Sequence, residues 1–156
     1  MHKLPLTALA LLASTLGAPL AAKPVTADVA QIAAILQKEG YQAKRAGEVA
    51  EPRIETAMSG YQMAIYFYGC DAKGQGCKSV QFYAGFNPDT SPTLEAMNDY
   101  ARDNRWGRIY LDKEGVAVIE MDVDLEAGGM SEALFLDNMA YWDTILTKFA
   151  DFVFKK

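Results

Sequence analysis

Two runs of alternating residues flank a pair of cysteines, and together they confine this part of the chain to one β-hairpin. Tyr61 to Tyr68 places Tyr61, Met63, Ile65 and Phe67 on one side and Gln62, Ala64, Tyr66 and Tyr68 on the other. Lys78 to Phe86 sets Val80, Phe82, Ala84 and Phe86 against Ser79, Gln81 and Tyr83. Alternation of period two marks strands with one face buried. If Cys70 stands opposite Cys77, Phe67 pairs with Val80, Ile65 with Phe82 and Met63 with Ala84, so apolar residues meet apolar residues. A slip of one residue would set Phe67 against Ser79 or Gln81 and turn the pattern inside out. Cysteine placement and hydrophobic pattern therefore specify the same register independently.

The first residues bear on the state of those cysteines. Met1-His2-Lys3 is a short basic start, Leu4 to Leu16 is an apolar run of about 13 residues, and Gly17 to Ala22 ends in small residues. This reads as an export signal over residues 1–22, with a single domain over 23–156 and a periplasmic or secreted product. The run is shorter than the roughly 20 residues that cross a bilayer, although an uncleaved anchor is the alternative. In an oxidising compartment an even cysteine count reads as one disulfide, Cys70 to Cys77, with free thiols as the other possibility. A zinc site lacks ligands, because the one histidine, His2, lies in the signal and there is no third cysteine.

Without residues 1–22 the chain has 134 residues and 14 lysines and arginines, Lys3 having gone with the signal, against 20 acids, a formal charge of −6. An acidic surface repels phosphate backbones, so nucleic acid is not an expected partner. The length suits one domain with one core.

The remaining elements follow from periodicity and stop signals. Ala27 to Glu39 carries Val29, Ile32, Ile35 and Leu36 on one helical face, with Thr26 as the expected N-cap and Gly40 as the stop. A short strand is expected over 41–45, a turn over 46–51 ahead of Pro52, and a strand over 53–59. Ser91-Pro92 reads as N-cap and first helical position of a second helix running to about Asn104, with Leu94, Met97, Tyr100 and Ala101 inward. Strands over 107–112 and 116–125 form a second hairpin around Lys113-Glu114-Gly115. Gly128-Gly129 breaks it, and Ser131 caps a long helix with an apolar stripe from Leu134 through Trp142 to Val153. The whole reads as an α+β fold of order α-β-β-β-β-α-β-β-α. Its antiparallel sheet of five or six strands is packed on one face by helices.

Few groups suited to catalysis are present. A Ser-His-Asp or Cys-His device cannot be built without a histidine in the domain, and Gly129-Met130-Ser131-Glu132-Ala133 follows a double-glycine break rather than a strand. Glu120, Asp122, Asp124 and Glu126 fall on every second residue, so a strand would project all four from one face, where they could serve as a sensor site for Ca²⁺ or a small ligand. The row lacks the Gly and Glu that an EF-hand loop would need at 127 and 133, and a solvated, aggregation-resistant strand is the simpler reading. No metal, cofactor or catalytic residue is assigned.

The side of the sheet opposite the core is aromatic. Tyr66, Tyr68 and Tyr83 fall there, and parity adds Arg108 and Tyr110 from the second hairpin. Tyrosine offers a large rigid contact area with a polar tip, so this face is the candidate binding surface for a protein or peptide. The alternative is that the long helix or cross-strand neighbours cover these rings.

Pro92-Thr93-Leu94 with Asn98, then Asn104-Arg105-Trp106-Gly107-Arg108-Ile109-Tyr110-Leu111-Asp112, Gly115 and Glu120-Met121-Asp122 resemble the YbjN-like family. That family is labelled as bacterial sensory transduction regulators with a fold like that of type III secretion chaperones. The resemblance runs from about Val25 to Phe154. It implies a non-enzymatic regulatory or chaperone-like module that holds polypeptide segments, often as a homodimer, and it brings no catalytic residues. The signal and the cysteine pair set this chain apart from cytoplasmic members. Within the matching strings, Trp106 is expected to plug the core, Gly107 to stop the helix, and Asn98 and Arg105 to fix the junction by hydrogen bonds.

Overall fold

The computed structural model describes residues 23–155, and the export signal expected over 1–22 lies outside them. Its elements are α1 (Val29–Lys38), β1 (Lys44–Glu48), β2 (Glu51–Met58), β3 (Tyr61–Tyr68), β4 (Ser79–Phe86), α2 (Leu94–Asp103), β5 (Arg108–Leu111), β6 (Ala117–Asp124) and α3 (Glu132–Phe154), the expected order. The strands form one open antiparallel sheet in the spatial order β1-β2-β3-β4-β6-β5. The last strand in sequence thus pairs with β4, and β5 is left at the edge.

The β3–β4 hairpin has the register its alternation dictates, with Phe67 opposite Val80 and Ile65 opposite Phe82. The sulfurs of Cys70 and Cys77 stand 2.07 Å apart, at disulfide distance. Residues 71–77 form the tip, where the Asp71 carboxylate accepts from the amides of Lys73 and Gln75. Beyond the hairpin, a backbone bridge from Ala27 to Cys77 ties the tip to the segment that enters α1.

The helices lie on one face. α1 packs on β1 and β2, α3 on β4 and β6, and α2 on β5. Between the layers Trp142, Phe82, Phe135, Phe149, Leu146, Ile65 and Ile119 are almost wholly buried. The Trp142 indole stacks on Phe82 at 5.6 Å between centroids and donates its N–H to Met63 Sδ at 3.0 Å. Burying rings of this size supplies much of the favourable free energy of such a domain, at about 25 cal/mol per Å² of apolar surface.

Several local expectations need correction. The side chain of Asp28, not Thr26, caps α1 by accepting from the Gln31 amide at 2.7 Å, while Thr26 donates through its amide and hydroxyl to the Gln31 side chain. Thr93, not Ser91, caps α2, and the Ser91 hydroxyl instead donates to the Gly115 carbonyl. Ser131 caps α3 as expected. Leu94 and Ala101 face solvent, leaving Met97 as the buried residue of α2 with Tyr100 partly buried. Leu134 also faces solvent, outside the buried stripe of α3.

The expected turn over 46–51 is largely strand. β1 begins at Lys44, and β2 starts at Glu51 and runs through Pro52, which stands opposite Gly47. Proline donates no hydrogen bond, so a pairing there needs a local irregularity on the partner. Gly47 supplies it: its φ is +86°, and a Cβ would lie 2.3 Å from the Glu51 carbonyl oxygen.

Candidate binding surface

Among the described residues the three helices lie on one side, and no layer covers the other face of the sheet. Antiparallel register lines its side chains into rows. One row crosses all six strands as Lys44, Glu55, Ala64, Tyr83, Glu120 and Arg108, and the next runs Arg53, Tyr66, Gln81 and Asp122. Tyr66, Tyr68, Tyr83, Arg108 and Tyr110 therefore do share one face, and the long helix does not cover them.

The face is organised by hydrogen bonds across strands. The Tyr68 hydroxyl donates to Gln81 Oε1 at 3.2 Å, and Gln81 Nε2 donates to Asp122 Oδ1 at 2.9 Å, linking β3, β4 and β6. Glu120 is the second anchor: its carboxylate takes the Arg108 guanidinium on one oxygen and the Tyr110 hydroxyl, at 2.8 Å, on the other. Arg108 also lies over the Tyr110 ring, 5.7 Å from its centroid. Tyr66 and Tyr83 meet edge to face at 5.5 Å. At the far side Glu55 bridges Arg53 and Lys44, whose hydrogen bonds, that of Arg53 foremost, hold its carboxyl below the usual carboxylate range.

Burial on this side comes from the side chains themselves. Glu120 and Gln81 are 4% and 6% exposed although none of α1, α2 and α3 reaches them, because longer neighbours lie over them. Tyr68 and Tyr110, by contrast, keep 47% and 36% of their surface in water. Elsewhere on this face, a hollow of about 550 Å³ is lined by Ala64 and Gly85 together with Tyr66, Tyr83, Arg53, Glu55 and Val116. The arrangement is a platform with ring edges, hydroxyls and both signs of charge at its rim, the kind of surface on which large contact area and polar tips occur together.

The hydroxyls carry a pH signature. Burial, then the hydrogen bond to Glu120, pushes Tyr110 up to about 12, and burial alone pushes Tyr100, on α2, to about 12. Since an unfolded tyrosine ionises near 10, the folded state holds more protons between the two values. The stability these groups contribute is therefore complete below about pH 10 and is lost as pH rises towards 12. Absorbance at 295 nm is expected to show a late tyrosinate phase near pH 12, and Tyr110→Phe to shrink it.

The acidic row of β6 is not assembled as a cation site. Glu120 binds Arg108 and Tyr110, Asp122 takes Gln81, Asp124 accepts from the Glu126 amide, and Glu126 pairs with Lys78 at 2.7 Å. Among the described residues, no cluster of three or more His, Cys, Asp or Glu side chains is placed to hold a metal ion. The expectation of a solvated strand edge also fails at Glu120, whose cover comes from β5. That strand's place beside β6 is a tertiary fact invisible to local periodicity.

The junction between α2 and β5 differs from expectation too. Trp106 does not plug the core; it is 58% exposed and rests on Tyr141 of α3, 5.3 Å between centroids. Gly107 is not the helix stop, since Asn104 caps α2 and donates through its side chain to the Tyr100 carbonyl. Asn98 is exposed, and Arg105 stacks over the Trp106 ring at 5.1 Å. Sequence reasoning missed Glu120, Gln81 and Gly85 as parts of the surface. The signal that would have found them is register: each shares a row with an aromatic or arginine already singled out.

No curated protein and no solved structure matches the chain. One family does, over residues 28–155, and it carries the description "putative bacterial sensory transduction regulator". That match spans every helix and strand of the domain, so the chain belongs to the YbjN family.

Proposed function

We propose that this protein is an exported, non-enzymatic regulatory or chaperone-like module that binds a protein or peptide partner on the open face of its sheet. The observation that carries the reading is the open sheet face bearing Tyr66, Tyr68, Tyr83, Arg108 and Tyr110, with Tyr68 held by Gln81, Arg108 and Tyr110 held by Glu120, and Tyr66 packed on Tyr83. Rigid aromatic side chains lose little entropy on binding, which makes them effective contact residues. The family description supports a regulatory role in general terms. Export is supported by the basic, apolar and small-residue succession of residues 1–22 and by a cysteine pair at disulfide distance. A non-catalytic role is supported by the absence of histidine after His2 and by carboxylates already engaged by arginine, tyrosine and glutamine.

Affinity capture of partners from a periplasmic extract tests the reading. The double variant Tyr66→Ser, Tyr83→Ser is expected to retain the fold and to lose at least about 30-fold in affinity, two buried aromatic contacts being worth upwards of 2 kcal/mol. Unchanged partners and affinity would remove the surface from consideration.

A further inference from the structure

A second cavity lies on the opposite, helical side, where the end of α2, the 104–107 connection and α3 meet, and nothing in the sheet-face reading uses it. Its volume is about 250 Å³, room for one large side chain rather than a length of polypeptide. Its interior is apolar: Gly107, Ile109, Ile119 and Ile145 line it. Gly107 lets the chain settle there, because a Cβ would come within 3.0 Å of Ile119 Cδ1 and 3.4 Å of Ile145 Cδ1. Trp106 and Tyr141 form an aromatic wall, both largely exposed and in ring contact.

Two further observations distinguish this cavity from an ordinary surface dent. Trp106 has φ of +77°, a left-handed conformation that costs a bulky residue free energy, yet the chain uses it to hold an indole out in water. In a protein with five more acidic than basic residues, two exposed cations, Arg105 and Lys148, line this cavity without an ion-pair partner among the described residues, as Arg45 and Lys73 do at the hollow beside β1, which lacks an aromatic wall. Asp103 also lines the cavity, and its carboxylate is paired with Arg102. Tyr100, which also lines the cavity, has a hydroxyl with no hydrogen-bond partner among the described residues.

We infer that the cavity bounded by Trp106, Tyr141, Arg105 and Lys148 binds a single aromatic or branched apolar side chain bearing a free carboxylate. The apolar group enters over Gly107 and between the rings, and the carboxylate meets the two cations. Such a group is supplied either by a free amino-acid-like acid or by the C-terminal residue of a polypeptide. Neither source depends on the sheet face, so this site stands or falls separately from it.

The chain carries its own reporter, because of its two tryptophans Trp106 is 58% exposed and Trp142 fully buried. Titration of the whole protein with N-acetyl-phenylalanine is expected to quench or shift the red-edge emission of Trp106 saturably and leave the Trp142 component unchanged. N-acetyl-phenylalaninamide, lacking the charge, is expected to bind at least about tenfold more weakly, the loss of a charge-assisted hydrogen bond. A decapeptide ending in phenylalanine, compared with its C-terminal amide, separates the two sources: tighter binding than the free acid assigns the site to chain termini, equal or weaker binding to small acids. The double variant Arg105→Gln, Lys148→Gln, whose exposed side chains leave the core untouched, is expected to melt with the wild type and abolish the preference for acid over amide. Equal affinity for acid and amide in the wild type, or no saturable change in Trp106 emission with any of the four ligands, would overturn the inference.

Discussion

Replacing Trp142 with alanine is expected to lower the melting temperature by about 9 to 20 °C, the largest effect of any single side chain in the domain. The indole is fully buried, stacks on Phe82, and hydrogen-bonds Met63, so it joins α3 to β3 and β4 at once. Truncating a buried tryptophan costs about 3–5 kcal/mol through lost transfer energy and the cavity left behind. Domains of this size are stable by about 5–15 kcal/mol, so that cost is a large share of the total. Each kcal/mol shifts the midpoint of such a domain by about 3–4 °C. The control is Leu134→Ala on the same helix, which removes an exposed side chain and is expected to change stability by less than about 0.5 kcal/mol. Thermal melts followed by far-ultraviolet circular dichroism compare the two; similar midpoints would contradict the packing account.

The second large effect concerns the hairpin. The variant Cys70→Ser, Cys77→Ser is expected to lose about 2.5 kcal/mol, the chain-entropy cost of opening a loop of about eight residues. Its register should nevertheless persist, since Phe67 opposite Val80 and Ile65 opposite Phe82 are set by hydrophobic pattern as well. Urea denaturation gives the first number, and amide exchange across β3 and β4 the second. A lower midpoint with an unchanged protection pattern is the expected pair of results. A shifted protection pattern would mean that the cross-link, and not the alternation, specifies the hairpin.

These two results map onto what the sequence makes legible. Long alternating runs fix the register of β3 against β4 to the residue, because an error of one would expose every apolar side chain along them. The long stripe of α3 is equally plain. Caps are not, since neighbouring small polar residues compete: Asp28 and Thr93 take the caps that Thr26 and Ser91 would have suited. Pro52 argued for a turn, and only the partner Gly47 explains how a strand accommodates it. Trp106 was misplaced because ring size favours burial on average, whereas backbone conformation holds this ring outward.

The candidate surface was half legible for a related reason. Parity along each strand named Tyr66, Tyr68, Tyr83, Arg108 and Tyr110, because a side chain's face follows from its own position. Which residues they cover depends on strand order, and β6 inserting between β4 and β5 brings Arg108 and Tyr110 over Glu120. A carboxylate that looked like solvated strand edge is instead the anchor of the platform.

Site-specific photo-crosslinking of the full-length protein in cells tests that platform most directly. A benzoylphenylalanine placed at position 83, on the open face, is compared with one at position 37, on the exposed side of α1. The account predicts a discrete covalent adduct from position 83 and none from position 37. Adducts from position 37 with none from position 83 would put the partner on the helical side and contradict the central claim.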